Sequence, residues 1–200
     1  MGLFLLSAAA ISLTGAMMPG PVTAATIAKG YSNRNAGILI AIGHAVIEMP
    51  LIAALYLGFG YFVSSPQVVK TTHIVGAVML FYLGFRMFRT ATNAPGEIGG
   101  LPASSLVTGI VLTGTNPGFY MWWMTIGMTL IISTSDFGLS GILLFAVVHW
   151  LCDLGWYEFL SAGTFKSRKW WTPKTQRIVF SACASTLIGF GIWFMYRVFV

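Results

Sequence analysis

The 200-residue sequence predicts an all-α, polytopic membrane protein with six transmembrane helices in two inverted three-helix repeats. Its composition supports the first half of this prediction, because 56% of the residues are hydrophobic and only 8% are charged. Mean hydropathy is +0.81. A soluble domain carries about 25% charged residues, so a soluble globular enzyme is excluded. An internal repeat supports the second half of the prediction.

Six apolar segments, separated by polar or turn-forming residues, define the predicted spans. Because one crossing needs about 20 apolar residues, six crossings occupy most of the chain and leave short loops. A single membrane domain, 1–200, then consists of repeat one at about 1–90, a polar linker at about 91–102 and repeat two at about 103–200. The spans are predicted at about 3–28, 36–63, 71–88, 103–132, 139–163 and 178–199.

Basic residues are concentrated in the loops that follow the first, third and fifth spans. Only Lys70 and Arg197 of the eleven basic residues fall on the other side. Since basic loops stay on the cytoplasmic side, both termini are predicted to face outward. The scattered basic residues form no patch for nucleic acid, which is not an expected partner. The nine residues on the cytoplasmic side are Lys29, Arg34, Arg86, Arg89, Lys166, Arg168, Lys169, Lys174 and Arg177.

A repeated motif relates the two halves of the chain. His44 and Glu48 in the second span recur as His149 and Asp153 in the fifth span, at an offset of 105 residues. Because each half has three spans, an odd number, the halves are predicted to lie in the membrane with opposite orientations. Inverted repeats are typical of secondary transporters, whose substrate sites lie near the bilayer midplane.

These four residues, here called the His–carboxylate quartet, are the strongest candidates for function. An ionised carboxylate in the middle of a span is costly and usually marks a transport path. Each histidine precedes its carboxylate by four residues, on the same helical face. We therefore predict that Glu48, Asp153, His44 and His149 exchange protons. The alternatives are contacts that only fasten helices together, and a divalent-ion site.

Proline–glycine pairs interrupt the first and fourth spans at an offset of 98 residues. Proline removes a backbone donor and glycine permits a bend. The freed amides and carbonyls could hold the carboxylate and ammonium ends of a zwitterion, although an ordinary proline kink is the alternative. The residues predicted at these breaks are Pro19, Gly20 and Pro21 in the first span and Asn116, Pro117 and Gly118 in the fourth.

Four aromatic residues lie near these motifs. Trp156 and Tyr157 follow Asp153 by about one helical turn, so they are candidates for the wall of a pocket. Trp122 and Trp123 are interpreted as packing or membrane-interface residues.

The order and spacing of these motifs resemble the LysE/RhtB family of amino-acid exporters. The resemblance covers nearly the whole chain, and the fifth span is similar to that of archaeal-type members. It implies efflux of amino acids or derivatives across the cell membrane of a prokaryote, driven by proton or ion exchange and often by a homodimer. The motifs are Met18-Pro19-Gly20-Pro21, Gly43-His44 with Glu48, Asn116-Pro117, and His149 with Asp153, Trp156 and Tyr157.

Two further functions remain as alternatives: a divalent metal-ion exporter, and a membrane-embedded metalloenzyme that uses the quartet. The sequence contains no nucleophile–base motif, phosphate loop or paired-cysteine motif. We therefore expect no enzymatic activity, no cofactor and no resident metal. The expected partners are membrane lipid and a small-molecule substrate, an amino acid.

Overall fold

The structure is a computed structural model that describes residues 1–18, 20–60, 65–90 and 101–199. All regular elements in these ranges are helical, as expected for a chain whose backbone polar groups must be satisfied within a bilayer. The α-helices are α1 (Gly2–Ala16), α2 (Pro21–Ser32), α3 (Ala36–Tyr56), α4 (Pro66–Thr90), α5 (Ser105–Gly114), α6 (Pro117–Trp122), α7 (Met128–Ser133), α8 (Gly138–Ser167) and α9 (Pro173–Phe199). A π-helix (Trp123–Gly127) joins α6 to α7, and 3-10 turns occupy Ser135–Phe137 and Arg168–Trp170.

The apolar helices confirm the predicted all-α membrane class. Four of them, α3, α4, α8 and α9, are long and apolar enough to cross a membrane alone. The pair α1 and α2, bent by 75°, forms a fifth candidate span. The predicted fourth span, 103–132, is instead divided into α5, α6, the π-helix and α7. Because α5 is only about 15 Å long, it covers about half of a bilayer core, and the count of six spans is not established.

Four helices extend beyond the predicted spans. Helix α2 ends at Ser32 rather than at 28, and α9 begins at Pro173 rather than at 178. Helix α4 begins at Pro66 rather than at 71, because proline is well suited to the first position of a helix. Helix α8 continues to Ser167 rather than ending at 163. The positive charge of Lys166 in its last turn stabilises the helix by interacting with the negative end of the helix dipole. Of the predicted linker, 91–100 lies outside the described residues.

Helices of the two predicted halves pack against one another. Helix α3 packs against α5, α8 packs against α1, and α4 packs against α9. In the predicted repeat, α1, α3 and α4 correspond to α5, α8 and α9. Exchanging corresponding helices therefore turns the α3–α5 contact into the α8–α1 contact. The α4–α9 contact maps onto itself.

Glycines permit a close crossing of α3 and α5. A Cβ atom at Gly43 would overlap the carbonyl oxygen of Leu106, and one at Gly109 would overlap the carbonyl oxygen of Ile40. Both contacts are with backbone, so no flexible side chain could move aside. The crossing therefore requires a residue without a side chain on each helix.

Two apolar clusters enclose a polar layer. One cluster includes Ile40 of α3 and Tyr157 of α8, together with residues of α2, α4 and α9. The other includes Leu51 of α3 and Phe145 of α8, together with residues of α1 and of the 119–131 region. The quartet lies between these clusters on both α3 and α8, so the fold buries it far from either end of the two helices.

Candidate functional site

Glu48 is the centre of the polar layer. Its Oε1 atom lies 3.0 Å from Nε2 of His44 and 3.1 Å from Nε2 of His149. The glutamate is only 1% exposed. An ionised carboxylate can only accept hydrogen bonds, so each ring donates its Nε2–H to this oxygen. A single carboxylate oxygen of α3 thus joins α3 to α8.

A hydroxyl group holds the other nitrogen of each histidine ring. His44 Nδ1 lies 2.8 Å from Thr113 Oγ1 of α5, and His149 Nδ1 lies 2.7 Å from Ser12 Oγ of α1. A hydroxyl can donate to an unprotonated nitrogen or accept from a protonated one. Each contact therefore persists whether the ring is neutral or charged, and both rings stay oriented toward Glu48.

Asp153 is not hydrogen-bonded like Glu48. Its Oδ2 atom lies 3.5 Å from His149 Nε2 and 3.9 Å from His44 Nε2, which is ion-pair range. Among the described residues, Asp153 Oδ2 and Glu48 Oε2 have no hydrogen-bond partner. Buried polar atoms without a partner are rare and costly. These two oxygens are therefore free to accept from the cationic or donor group of a ligand.

A cavity of about 100 Å³ lies beside the quartet. All four quartet residues line it, and so do residues at the two helix breaks. Of the predicted break and wall residues, the cavity is lined by Gly20, Pro21, Asn116, Gly118 and Tyr157. The fold therefore brings the repeat motif and the broken helices, which are distant in sequence, to one place.

The helix breaks present two different N-termini to this cavity. Helix α2 begins at Pro21, which has no N–H, so its first amides belong to Val22 and Thr23. Amides in the first turn of a helix lack intrahelical partners. At α6, by contrast, the side chain of Asn116 accepts from the Gly118 amide at 3.0 Å. The α2 end, with no side-chain cap, is the better place for an anion.

Aromatic rings enclose the quartet. The rings of Trp122 and Trp123 lie 5.1 Å and 4.9 Å from the His149 ring, and that of Phe119 lies 5.2 Å from the His44 ring. Trp122 and Trp123, interpreted from the sequence as packing residues, both line the cavity. They meet at the junction of α6 and the π-helix, and such a widened turn changes which side chains share a face.

The other predicted residues occupy several places. The Tyr157 ring lies 5.8 Å from the His44 ring. Trp156 is not among the cavity residues and stacks on Phe159, with 5.6 Å between the ring centroids. Pro117 lines a separate pocket between α4 and α6. Pro19 lies outside the described residues.

The quartet also offers a compact set of metal-ligand atoms. One such atom from each of His44, Glu48 and Asp153 lies within 4.8 Å of the others. Imidazole and carboxylate groups suit several divalent transition ions. His44 Nε2 and Glu48 Oε1 are already hydrogen-bonded to each other, so an ion bound there would have to replace that contact.

A comparison with known families connects this architecture with transport. The family model of the LysE type translocator matches residues 13–198. The chain belongs to the LysE type translocator family. No curated protein and no solved structure gives a significant match. This LysE type translocator is accordingly a multi-pass membrane transporter, and the quartet and both helix breaks lie within the matched region.

Proposed function

We propose that this LysE type translocator exports amino acids or their derivatives across the cell membrane, coupled to proton exchange by alternating access. One observation carries the proposal. One cavity is lined by two carboxylates, each with an oxygen that has no hydrogen-bond partner among the described residues, and by the uncapped N-terminus of a broken helix. These are complementary to the two charged ends of a zwitterion. No enzymatic step forms part of the proposal.

The charges of the site would fix the orientation of a bound zwitterionic substrate. The ammonium group would donate to Asp153 Oδ2 and Glu48 Oε2, two buried carboxylate oxygens without a hydrogen-bond partner among the described residues. The substrate carboxylate would accept from the Val22 and Thr23 amides at the start of α2, where the helix dipole also favours negative charge. Charge-assisted hydrogen bonds of this kind are about twice as strong as neutral ones.

Competition for the same oxygens would couple the substrate to protons. A proton on Asp153 or Glu48 removes the negative charge that the ammonium group needs. His44 and His149 can accept the proton without losing their hydroxyl partners, because Thr113 and Ser12 can reverse their hydrogen bonds. Binding of the substrate and binding of the proton would thus exclude one another, so that proton uptake would accompany substrate release.

We also propose that the two halves are inverted repeats. The 105-residue offset supports this proposal. So does the helix packing, because the same helix pairs are in contact when the two halves are exchanged. In each half a histidine donates toward the shared carboxylate and contacts a hydroxyl on a helix of the other half. Two related bundles around a central site could rock against each other to expose it alternately.

The proposed orientation places both termini outside and the basic loops in the cytoplasm. In a background without Cys152 and Cys183, a cysteine at Trp170 should react with a membrane-impermeant reagent only from the cytoplasmic side. Ser140→Cys, at the opposite end of α8, is the matched control and should react only from outside. The reverse pattern would overturn the orientation.

A homodimer in the lipid bilayer is proposed from the family resemblance.

Reconstituted protein provides the direct test of function. Proteoliposomes loaded with unlabelled amino acids should exchange them for labelled ones, and an imposed pH gradient should drive net movement. Asp153→Asn keeps the side-chain size but removes the charge, so the apparent affinity should fall about 10- to 100-fold, the value of a hydrogen bond to a charged group. No exchange of any amino acid by wild-type protein would refute the proposal.

The same vesicles discriminate the divalent-ion exporter, the second candidate. The compact arrangement of His44, Glu48 and Asp153 favours that candidate. Cation-dependent flux with no amino-acid exchange would support it. The amino-acid proposal also accounts for the uncapped N-terminus of α2. The amide groups there attract anions and would not bind a cation.

A further inference from the structure

A groove near the C-terminal end of α8 collects four basic side chains. It is open, has a volume of about 600 Å³ and is separate from the central cavity. Its residues come from the α2–α3 turn, from the last turns of α8 and from the 3-10 turn that follows. We call it the basic groove and define it by Arg34, Lys166, Arg168, Lys169, Phe159 and Gly163.

The positive charge of the basic groove is not neutralised by any carboxylate of the described residues. Within the described ranges, none of its four basic side chains has a carboxylate within 4.0 Å. Glu158 is an acidic residue on the same part of α8, and its Oε2 atom lies 3.2 Å from Ser161 Oγ. The groove therefore has an excess of positive charge and donors that are available to an anion.

The fold holds this groove in shape. Arg168 Nη1 donates to the carbonyl oxygen of Tyr31 at 2.7 Å, and its guanidinium lies 3.6 Å above the centre of the Phe165 ring. Ser161 donates to the carbonyl oxygen of Arg34 at 2.8 Å. The α2–α3 turn is thereby fixed to α8, which brings Arg34 beside lysines more than 130 positions away in the sequence. The basic side chains are thus assembled by tertiary contacts.

The position of the groove along α8 matches the membrane surface. Helix α8 has 30 residues and is about 45 Å long, so it exceeds the hydrocarbon core of about 30 Å. Lys166 lies about 20 Å along the helix from Asp153, at the depth of lipid headgroups if the quartet is near the midplane. Phe159 lies about 10 Å deeper than Lys166 and is 66% exposed. The groove therefore runs from an apolar surface to a basic one.

We propose that the basic groove binds an anionic phospholipid. Lys166, Arg168 and Lys169 would hold its phosphate, and an acyl chain would lie along Phe159 and over Gly163. Basic pockets between transmembrane helices recognise anionic headgroups in this way. A Cβ atom at Gly163 would meet no atom within 4 Å, so there is room for the lipid at this point.

Native mass spectrometry of the full-length protein in detergent tests the proposal. Phosphatidylglycerol should be retained in preference to phosphatidylcholine. Lys166→Gln with Lys169→Gln should weaken retention of phosphatidylglycerol about 30-fold, because it removes two basic residues at the surface. Gly163→Leu should also weaken retention, by filling the groove without changing any charge.

Lys174→Gln with Arg177→Gln is the matched control. It removes two exposed basic residues from the same predicted side of the membrane but outside the groove, and it should retain the lipid like wild type. Equal losses in both double variants would overturn the proposal in favour of diffuse surface charge. Displacement of the lipid by an equal concentration of inorganic phosphate would overturn it in favour of a free-anion site. Unchanged retention of phosphatidylglycerol by Gly163→Leu would show that the lipid does not lie in the groove, and would overturn the proposal.

Discussion

Glu48→Gln is expected to abolish proton-driven transport while leaving a folded protein. The amide has nearly the same size, but it can neither carry a negative charge nor exchange a proton at this position. It also weakens both hydrogen bonds from the histidine rings, at 3.0 Å and 3.1 Å. Because hydrogen bonds to charged groups contribute about 1.5–3 kcal/mol each, transport in proteoliposomes with an imposed pH gradient should fall about 100-fold or more.

Glu158→Gln is the matched control for this prediction. Glu158 lies on α8 outside the cavity lining, and its Oε2 atom lies 3.2 Å from the Ser161 hydroxyl oxygen. Removing its charge should leave the transport rate unchanged. If Glu48→Gln transports at the wild-type rate with the same pH dependence, the quartet is structural and the proposed mechanism fails.

Two hydroxyl variants test the same network in a graded way. Thr113→Val and Ser12→Ala leave both carboxylates intact and remove only the hydrogen bond to Nδ1 of His44 or His149. Each should slow transport about 2- to 10-fold, as expected for the loss of one ordinary hydrogen bond. A loss as complete as that of Glu48→Gln would contradict the assignment of Glu48 as the central group.

Gly43→Ala is expected to destabilise the protein more than any change on the lipid-facing surface. The new Cβ atom would overlap the Leu106 carbonyl oxygen, so α3 and α5 would have to separate. Overpacking of this kind costs about 1–3 kcal/mol. The thermal unfolding midpoint of the purified protein in detergent should fall, and the distance from His44 to Thr113 should lengthen with the movement of α5.

Gly155→Ala separates this steric effect from helix propensity. Gly155 lies within α8, and a Cβ atom there would meet no atom within 4 Å. Alanine is favoured over glycine in a helix by about 0.5–1 kcal/mol, so this variant should be as stable as wild type or slightly more stable. If Gly43→Ala is equally stable, the α3–α5 crossing can widen without cost and the prediction is wrong.

The sequence by itself determined the membrane class, the helical content and the residues most worth testing. These features depend on local properties. Apolar composition and turn residues set where helices run, and the cost of a carboxylate in an apolar segment singles out Glu48 and Asp153 wherever the helices pack. The break before Pro117 was also predictable, because proline and glycine act on the backbone of their own segment.

Only the tertiary structure decided how these residues divide their roles. The repeat predicted equivalent carboxylates, whereas both histidines donate to Glu48 and lie only within ion-pair range of Asp153. Ser12 and Thr113 enter the site at a separation of 101 residues, which matches neither the 105-residue nor the 98-residue offset. Trp123, the first residue of the π-helix, also lines the cavity. The physical reason is that these contacts depend on which helices cross and how closely, and that is set by glycine contacts and packing across the whole chain.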